Sequence, residues 1–152
     1  MLHFRKAEEK DIPFIVQMIA DDKLGKLREN YREPLPQEYL TAFKNINADP
    51  NQELIVVTEN GDDKIIGTLQ LSFIQYLTYR GGIRAQIEAV RIRKDCRGKG
   101  FGQQMFTWAI KRAKERNAHV LQLTTDKKRP EAIAFYEKLG FKASHEGMKL
   151  HF

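Results

Sequence analysis

A chain of 152 residues with 30% charged and 41% hydrophobic positions has the length and balance of one globular domain that can bury a core, residues 1–152. No apolar run approaches the roughly 18 residues of a membrane helix, and the charged stretch from Met1 to Asp11 does not read as a secretory signal. A single cysteine, Cys96, excludes an internal disulfide and fits a reducing, cytoplasmic setting, while the net charge of +6 comes without the aromatic–basic interleaving or helix-turn-helix pattern of a nucleic-acid partner.

Leu2 to Lys6 alternates apolar and polar residues as a first strand. Asp11 can cap a helix with Pro13 in its first turn and an apolar stripe of Ile12, Ile15, Val16 and Ile19. From Asp22 to Pro36 the pattern breaks into a loop or short helix, and a second helix follows near Gln37 to Asn47. Leu54 to Glu59, with its β-branched Ile55-Val56-Val57, predicts a strand, and Asn60-Gly61-Asp62-Asp63 a hairpin turn. Lys64 to Tyr76 predicts a long second strand, and Gly81-Gly82 turns the chain into Ile83 to Ile92. A helix begins at Gly102 with Met105, Phe106, Ala109 and Ala113 on one face. Val120 to Thr124 predicts a short buried strand, Ala132 to Leu139 a helix stopped by Gly140, and Phe141 to Phe152 one or two closing strands. The order implies an α+β fold, a mixed and mostly antiparallel sheet between helical layers.

The stretch Arg91-Ile92-Arg93-Lys94-Asp95-Cys96-Arg97-Gly98-Lys99-Gly100-Phe101-Gly102 joins a strand to a helix. Its glycines permit positive φ and close approach of a ligand, and the unpaired N–H groups of the following helix favour an anion. Arg97 and Lys99 add charge, so the turn reads as a pyrophosphate cradle. A dinucleotide fingerprint fails because Gln103 and Met105 stand where its third glycine belongs, and no Gly-Lys-Ser/Thr of a Walker loop follows.

What remains is Arg-x-x-Gly-x-Gly at Arg97, Gly100 and Gly102, which resembles the acetyl-CoA signature of the GNAT N-acetyltransferase superfamily. A second stretch, Ala132-Ile133-Ala134-Phe135-Tyr136-Glu137-Lys138-Leu139-Gly140-Phe141, is similar to that family's late helix and turn, and falls in the expected order. The resemblance implies the three-layer GNAT fold, acetyl-CoA as co-substrate and an amine as acceptor. It departs from the family at Arg129, followed by Pro130, where many members carry an asparagine that touches the coenzyme. A phosphate contact or a solvent-facing side chain are the two expectations for Arg129.

By that resemblance the main chain of Val90, Arg91 and Ile92 holds the pantetheine arm, and Arg97, Gly98, Lys99, Gly100, Phe101 and Gly102 the pyrophosphate. The implied reaction is direct attack of the amine on the thioester. A primary amine has a pKa near 10.4, so only on the order of one in a thousand is free base at pH 7, and a base helps. Glu88 is the candidate; strand alternation predicts that it shares a face with Gln86, Val90 and Ile92. Tyr136 corresponds to the family's acid, a phenol that stays protonated at pH 7 and can protonate departing coenzyme A. Cys96 has no histidine near it in sequence, and the four histidines show no metal spacing, so no metal is expected. A protein N-terminus or lysine is the alternative acceptor, and a non-catalytic acetyl-CoA-sensing or transcription-regulatory module the alternative function; a homodimer is compatible with all three. Residues 1–76 carry a net −4 and residues 77–152 a net +10. Glu29, Glu33 and Glu38, near the expected acceptor mouth, predict a polycationic acceptor, whereas an aminophosphonate would point to Arg80 and Arg84 as anchors.

Overall fold

In a computed structural model describing all residues from Met1 to Phe152, the β-branched run of the second strand sits at the heart of a five-stranded sheet. Its strands are β1 (Leu2–Lys6), β2 (Gln52–Glu59), β3 (Ile65–Gln75), β4 (Ile83–Ile92) and β5 (Ala118–Gln122), lying side by side in that order. The first three pairings are antiparallel, and β5 runs parallel to β4. Alternation along the strands divides the core into two clusters. Ile55, Val57, Leu69, Leu71 and Ile87 pack with Met105, Phe106, Ala109 and Ala113 of α4 (Phe101–Glu115). On the other face Val56 and Ile65 meet Ile12, Ile15 and Val16 of α1 (Ile12–Ala20) and Phe43 of α2 (Gln37–Ala48). A single turn, α3 (Thr78–Gly81), links β3 to β4, and α5 (Pro130–Lys138) lies on the α4 side with Tyr136 against the first cluster. The layers are those of an α/β/α sandwich.

Two features of β4 shape the site. Its register against β3 slips between Thr68 and Gln70, so that Ala89 and Val90 together oppose Leu69, and Ala89 takes φ +51°. This bulge resets the alternation of the strand. Glu88 stays on the face of Gln86, opposite Gln70, while Val90 and Ile92 pack into the α4-side cluster. The expected shared face of Glu88, Val90 and Ile92 is therefore corrected: the extra residue puts them on opposite sides of the sheet. Second, pairing with β5 ends at Gln86–Gln122, whereas β4 continues to Ile92. The edge of β4 from Glu88 onward is open, forming one wall of a cleft.

Three further expectations are corrected. Phe141 to Phe152 forms no strand, and Met148, Leu150 and Phe152 are exposed, since the chain after α5 pairs with no sheet edge. In consequence β5 is an edge strand, not a buried one, with Val120 exposed. The Asp11 carboxylate does not cap α1; it accepts the Glu8 N–H at 2.8 Å and pairs with Arg5 at 2.6 Å, fastening the start of α1 to β1. At the far end, the buried Glu53 receives Arg112 and Arg116 at 2.6 and 2.8 Å, tying the end of α4 to β2. No helix is long and apolar enough to cross a membrane.

Candidate active site

The turn after β4 is built on conformation. Gly98 and Gly100 have φ of +77° and +76°, a region L side chains rarely occupy, and a Cβ at either would meet nothing within 4 Å. Glycine is required there by the backbone, and the space beside it stays open. Gly100 is the N-cap of α4 and supplies no capping side chain, and no acidic residue stands in the first turn. The leading N–H groups of this 15-residue helix, at Phe101, Gly102 and Gln103, are left to an external acceptor of negative charge. Arg93 pins the turn's base, donating to Ile65 O at 2.8 Å and pairing with Asp95. Arg97 and Lys99 are exposed, and Arg97 Nε donates to Ile92 O at 3.1 Å. A Cβ at Gly102 would touch Ile92 Cδ1 and Phe135 Cζ, both at 3.5 Å, so there the turn closes onto β4 and α5.

Tyr136 is half-buried on the α4 side of the sheet. Its ring packs 5.4 Å from Phe106, 5.6 Å from Phe135 and 6.1 Å from Phe141, between centroids. Burial raises the phenol above its ordinary pKa, with the charges of Arg129 and Arg91 pulling back, so the group is protonated at neutral pH.

Arg129 is half-buried and engaged by a carboxylate. It donates to Asp22, 107 residues earlier, and Arg91 lies 3.6 Å from the same carboxylate. Burial alone would raise the Asp22 carboxyl, but the hydrogen bond from Arg129 and the charges of Arg91 and Arg129 outweigh it and hold the pKa below the ordinary value. Arg91, with its Nη1 on Val90 O at 2.8 Å, is lowered chiefly by burial yet remains charged. Asp22 thus clasps the end of α1 to the start of α5 above β4. Sequence reasoning assigned it nothing, and an acidic residue in a charged loop offered no local sign of so distant a partner.

Glu88 is exposed on the opposite face from Val90 and accepts Gln86 Nε2 at 3.0 Å; Gln122 Nε2 in turn donates to Gln86 Oε1 at 2.8 Å. A groove of about 1160 Å³ runs from Phe14 and Met18 to Ile92 and Arg97. It meets the glycine turn but contains neither Glu88 nor Tyr136, so it flanks the cleft. Cys96 is buried, its thiol 3.3 Å from Arg93 Nη2, and takes no place in the cleft.

The acetyltransferase (GNAT) family model matches residues 22–141, from the clasp aspartate to the end of the α5 turn. The chain belongs to this family. Acetyl-CoA is accordingly the acetyl donor of this enzyme, an N-acetyltransferase, and the uncapped first turn of α4 beside open space fits a pyrophosphate. The chain is 30% identical over 109 residues to the aminoalkylphosphonate N-acetyltransferase of Salmonella typhimurium, covering 72% of this chain and 69% of that one. Its fold is similar to a crystal structure from Bacillus halodurans described as a transcriptional regulator, at 54% identity and TM-score 0.95 over the whole of both chains. It is also similar to a protein from Clostridium acetobutylicum described as a predicted acetyltransferase and solved with acetyl-CoA, at 27% identity and TM-score 0.74, covering 99% of this chain and 96% of that one.

Proposed function

We propose that this enzyme acetylates the primary amine of a small molecule by direct attack within a ternary complex. One observation carries the reading: the open edge of β4 leads from the uncapped turn of α4 to Glu88, and a protonated Tyr136 is half-buried on the α4 side. The N–H groups at the start of α4, with Arg97 and Lys99, hold the pyrophosphate, and the main chain of Val90, Arg91 and Ile92 runs beside the pantetheine. Arg129, engaged by Asp22, orders the roof of the cleft with Arg91 and is not a phosphate ligand in this reading.

Glu88 takes a proton from the bound ammonium, directly or through water, giving the free amine. The amine nitrogen attacks the thioester carbonyl; the C–S bond breaks as the amide C–N bond forms. The departing sulfur receives its proton from Tyr136, which burial keeps in the phenol form, and the proton that the nitrogen sheds as the amide forms returns through solvent to restore the phenol. The name of the Salmonella relative, at 30% identity, supports a small amine over a protein acceptor. The name of the Bacillus neighbour, a transcriptional regulator, supports a regulatory role as the second reading.

A screen of amines monitored by thiol release separates these readings. Turnover with a small amine, and initial-rate lines that intersect as both substrates vary, support the proposal. Parallel lines mean an acyl-enzyme, and acetyl-CoA binding without turnover of any amine means a sensor.

A further inference from the structure

We propose that Arg84 anchors an anionic group carried by the acceptor, so that the substrate class is an amine bearing a carboxylate or phosphonate. This rests on the small-amine reading above. The β3–β4 pairings place Gln70, Ser72, Arg84, Gln86 and Glu88 on one face of the sheet, the one opposite α4. The apolar side chains of α1 and α2 pack on this face around Leu54, Val56 and Ile65, leaving a polar patch on β3 and β4. Within the patch the neutral groups satisfy one another. Gln52 Oε1 accepts Gln70 and Ser72 at 3.0 and 2.7 Å, and the chain from Gln122 through Gln86 ends on Glu88.

Arg84 is the exception. Every other half-buried arginine donates to a carboxylate or a carbonyl; the Arg84 side chain makes no hydrogen bond or ion pair, and its Nε, like that of Arg91, is buried without a partner. A guanidinium left so is costly unless something completes it. It is held by packing, its Cζ 4.6 Å from the Tyr76 ring centroid and 5.7 Å from that of Tyr79, which itself stacks on His119 at 4.7 Å. In the turn that carries Tyr79, both Tyr79 and Arg80 lie in the left-handed region, φ +52° and +57°. The aromatic shelf fixes and partly desolvates the cation without neutralising it, which strengthens what an anion gains there.

Arg84 and Glu88 are both on this face, their positions about 13 Å apart along the strand at ~3.3 Å per residue, with the guanidinium over Tyr76 and Tyr79 at the turn end of β4. One site for a cation and one for an anion on a single face describe a zwitterionic amine, its ammonium at Glu88 and its anion at Arg84. A polyamine would meet repulsion at Arg84, and Glu29, part of the acidic character expected of the mouth, is taken up by Arg28 and Tyr39.

The test compares β-alanine, 3-aminopropylphosphonate and propylamine as acceptors for wild type, Arg84→Met and Arg84→Lys, with thermal unfolding to establish folding. Wild type is expected to prefer the two anionic amines. In Arg84→Met their KM should rise about 30-fold or more relative to propylamine, the loss typical when one partner of a desolvated charge pair is removed. Arg84→Lys, keeping charge but not the fork, should fall between and serves if the methionine variant is unstable. Equal use of propylamine by wild type, or a preference that survives in both variants, overturns the anchor and leaves the acetyltransferase reading standing. Acetyl-CoA binding with no turnover of these or any other small amine overturns the small-amine reading, and this proposal with it.

Discussion

Asp22→Asn removes one charge and leaves two guanidiniums facing each other without it. Asparagine keeps an acceptor for the Gly25 N–H, which now reaches Asp22 Oδ2 at 3.3 Å, so the perturbation is of charge. The Asp22 side chain is 14% exposed, Arg91 15% and Arg129 31%. Removing one partner of a fully buried pair costs about 3–5 kcal/mol, and the more open side of Arg129 reduces this, so we expect about 1–3 kcal/mol. At roughly 2–4 °C per kcal/mol for a chain of this size, the melting temperature should fall by roughly 2–12 °C. The sign with pH follows from the lowered carboxyl pKa, set by Arg129 and Arg91 against burial. A depressed carboxyl stabilises the fold above its unfolded value of about 4 and loses that contribution as pH falls through the folded value. The difference between wild type and variant should be full at pH 7 and shrink below about pH 4. Calorimetric melts from pH 7 to pH 3 measure it. Equal stability at pH 7, or a difference that stays constant down to pH 3, would refute the clasp.

Tyr136→Phe should lower kcat by about 10²-fold with little change in acetyl-CoA affinity; unchanged turnover makes Tyr136 a packing residue. Because burial raises its phenol, the alkaline limb of the wild-type kcat profile should lie above the ordinary tyrosine value of about 10. Glu88→Gln should cut kcat/KM most at neutral pH, the loss shrinking as pH approaches the acceptor's own pKa; a defect equal at every pH means that Glu88 positions substrate only. Gly102→Ala should fold, since its Cβ makes only 3.5 Å contacts, yet weaken acetyl-CoA binding at least about tenfold by filling the junction of the turn with Ile92 and Phe135. Unchanged affinity by calorimetry would show that the coenzyme does not approach there. Gly100→Val is the poorer probe, because φ +76° strains any side chain before a ligand is considered.

Much of the architecture is written locally. The β-branched run of β2, the apolar stripes of α1 and α4 and the proline at the start of α1 each specify an element through neighbours a few residues away, and these elements formed within one to three residues of expectation. The glycine turn was equally legible, because positive φ at Gly98 and Gly100 is a demand on single residues. The closing strands failed for the complementary reason: alternation in Met148-Lys149-Leu150-His151-Phe152 marks a segment able to be a strand, but a strand exists only where an edge receives it.

From its sequence alone this protein had its family and the conformation of its glycine turn, since each is a short run of residues whose stereochemistry or chemistry is self-contained. Which face Glu88 occupies depended on one extra residue at Ala89, invisible to a period of two until β3 is laid beside β4. The partner of Arg129 depended on Asp22, brought to it only when α1 and α5 pack over the same sheet. The isolation of Arg84 depended on what does not reach it. Local pattern sets what each segment is; pairing register and long-range contact set which charges meet, and in this enzyme that decides the chemistry of the cleft.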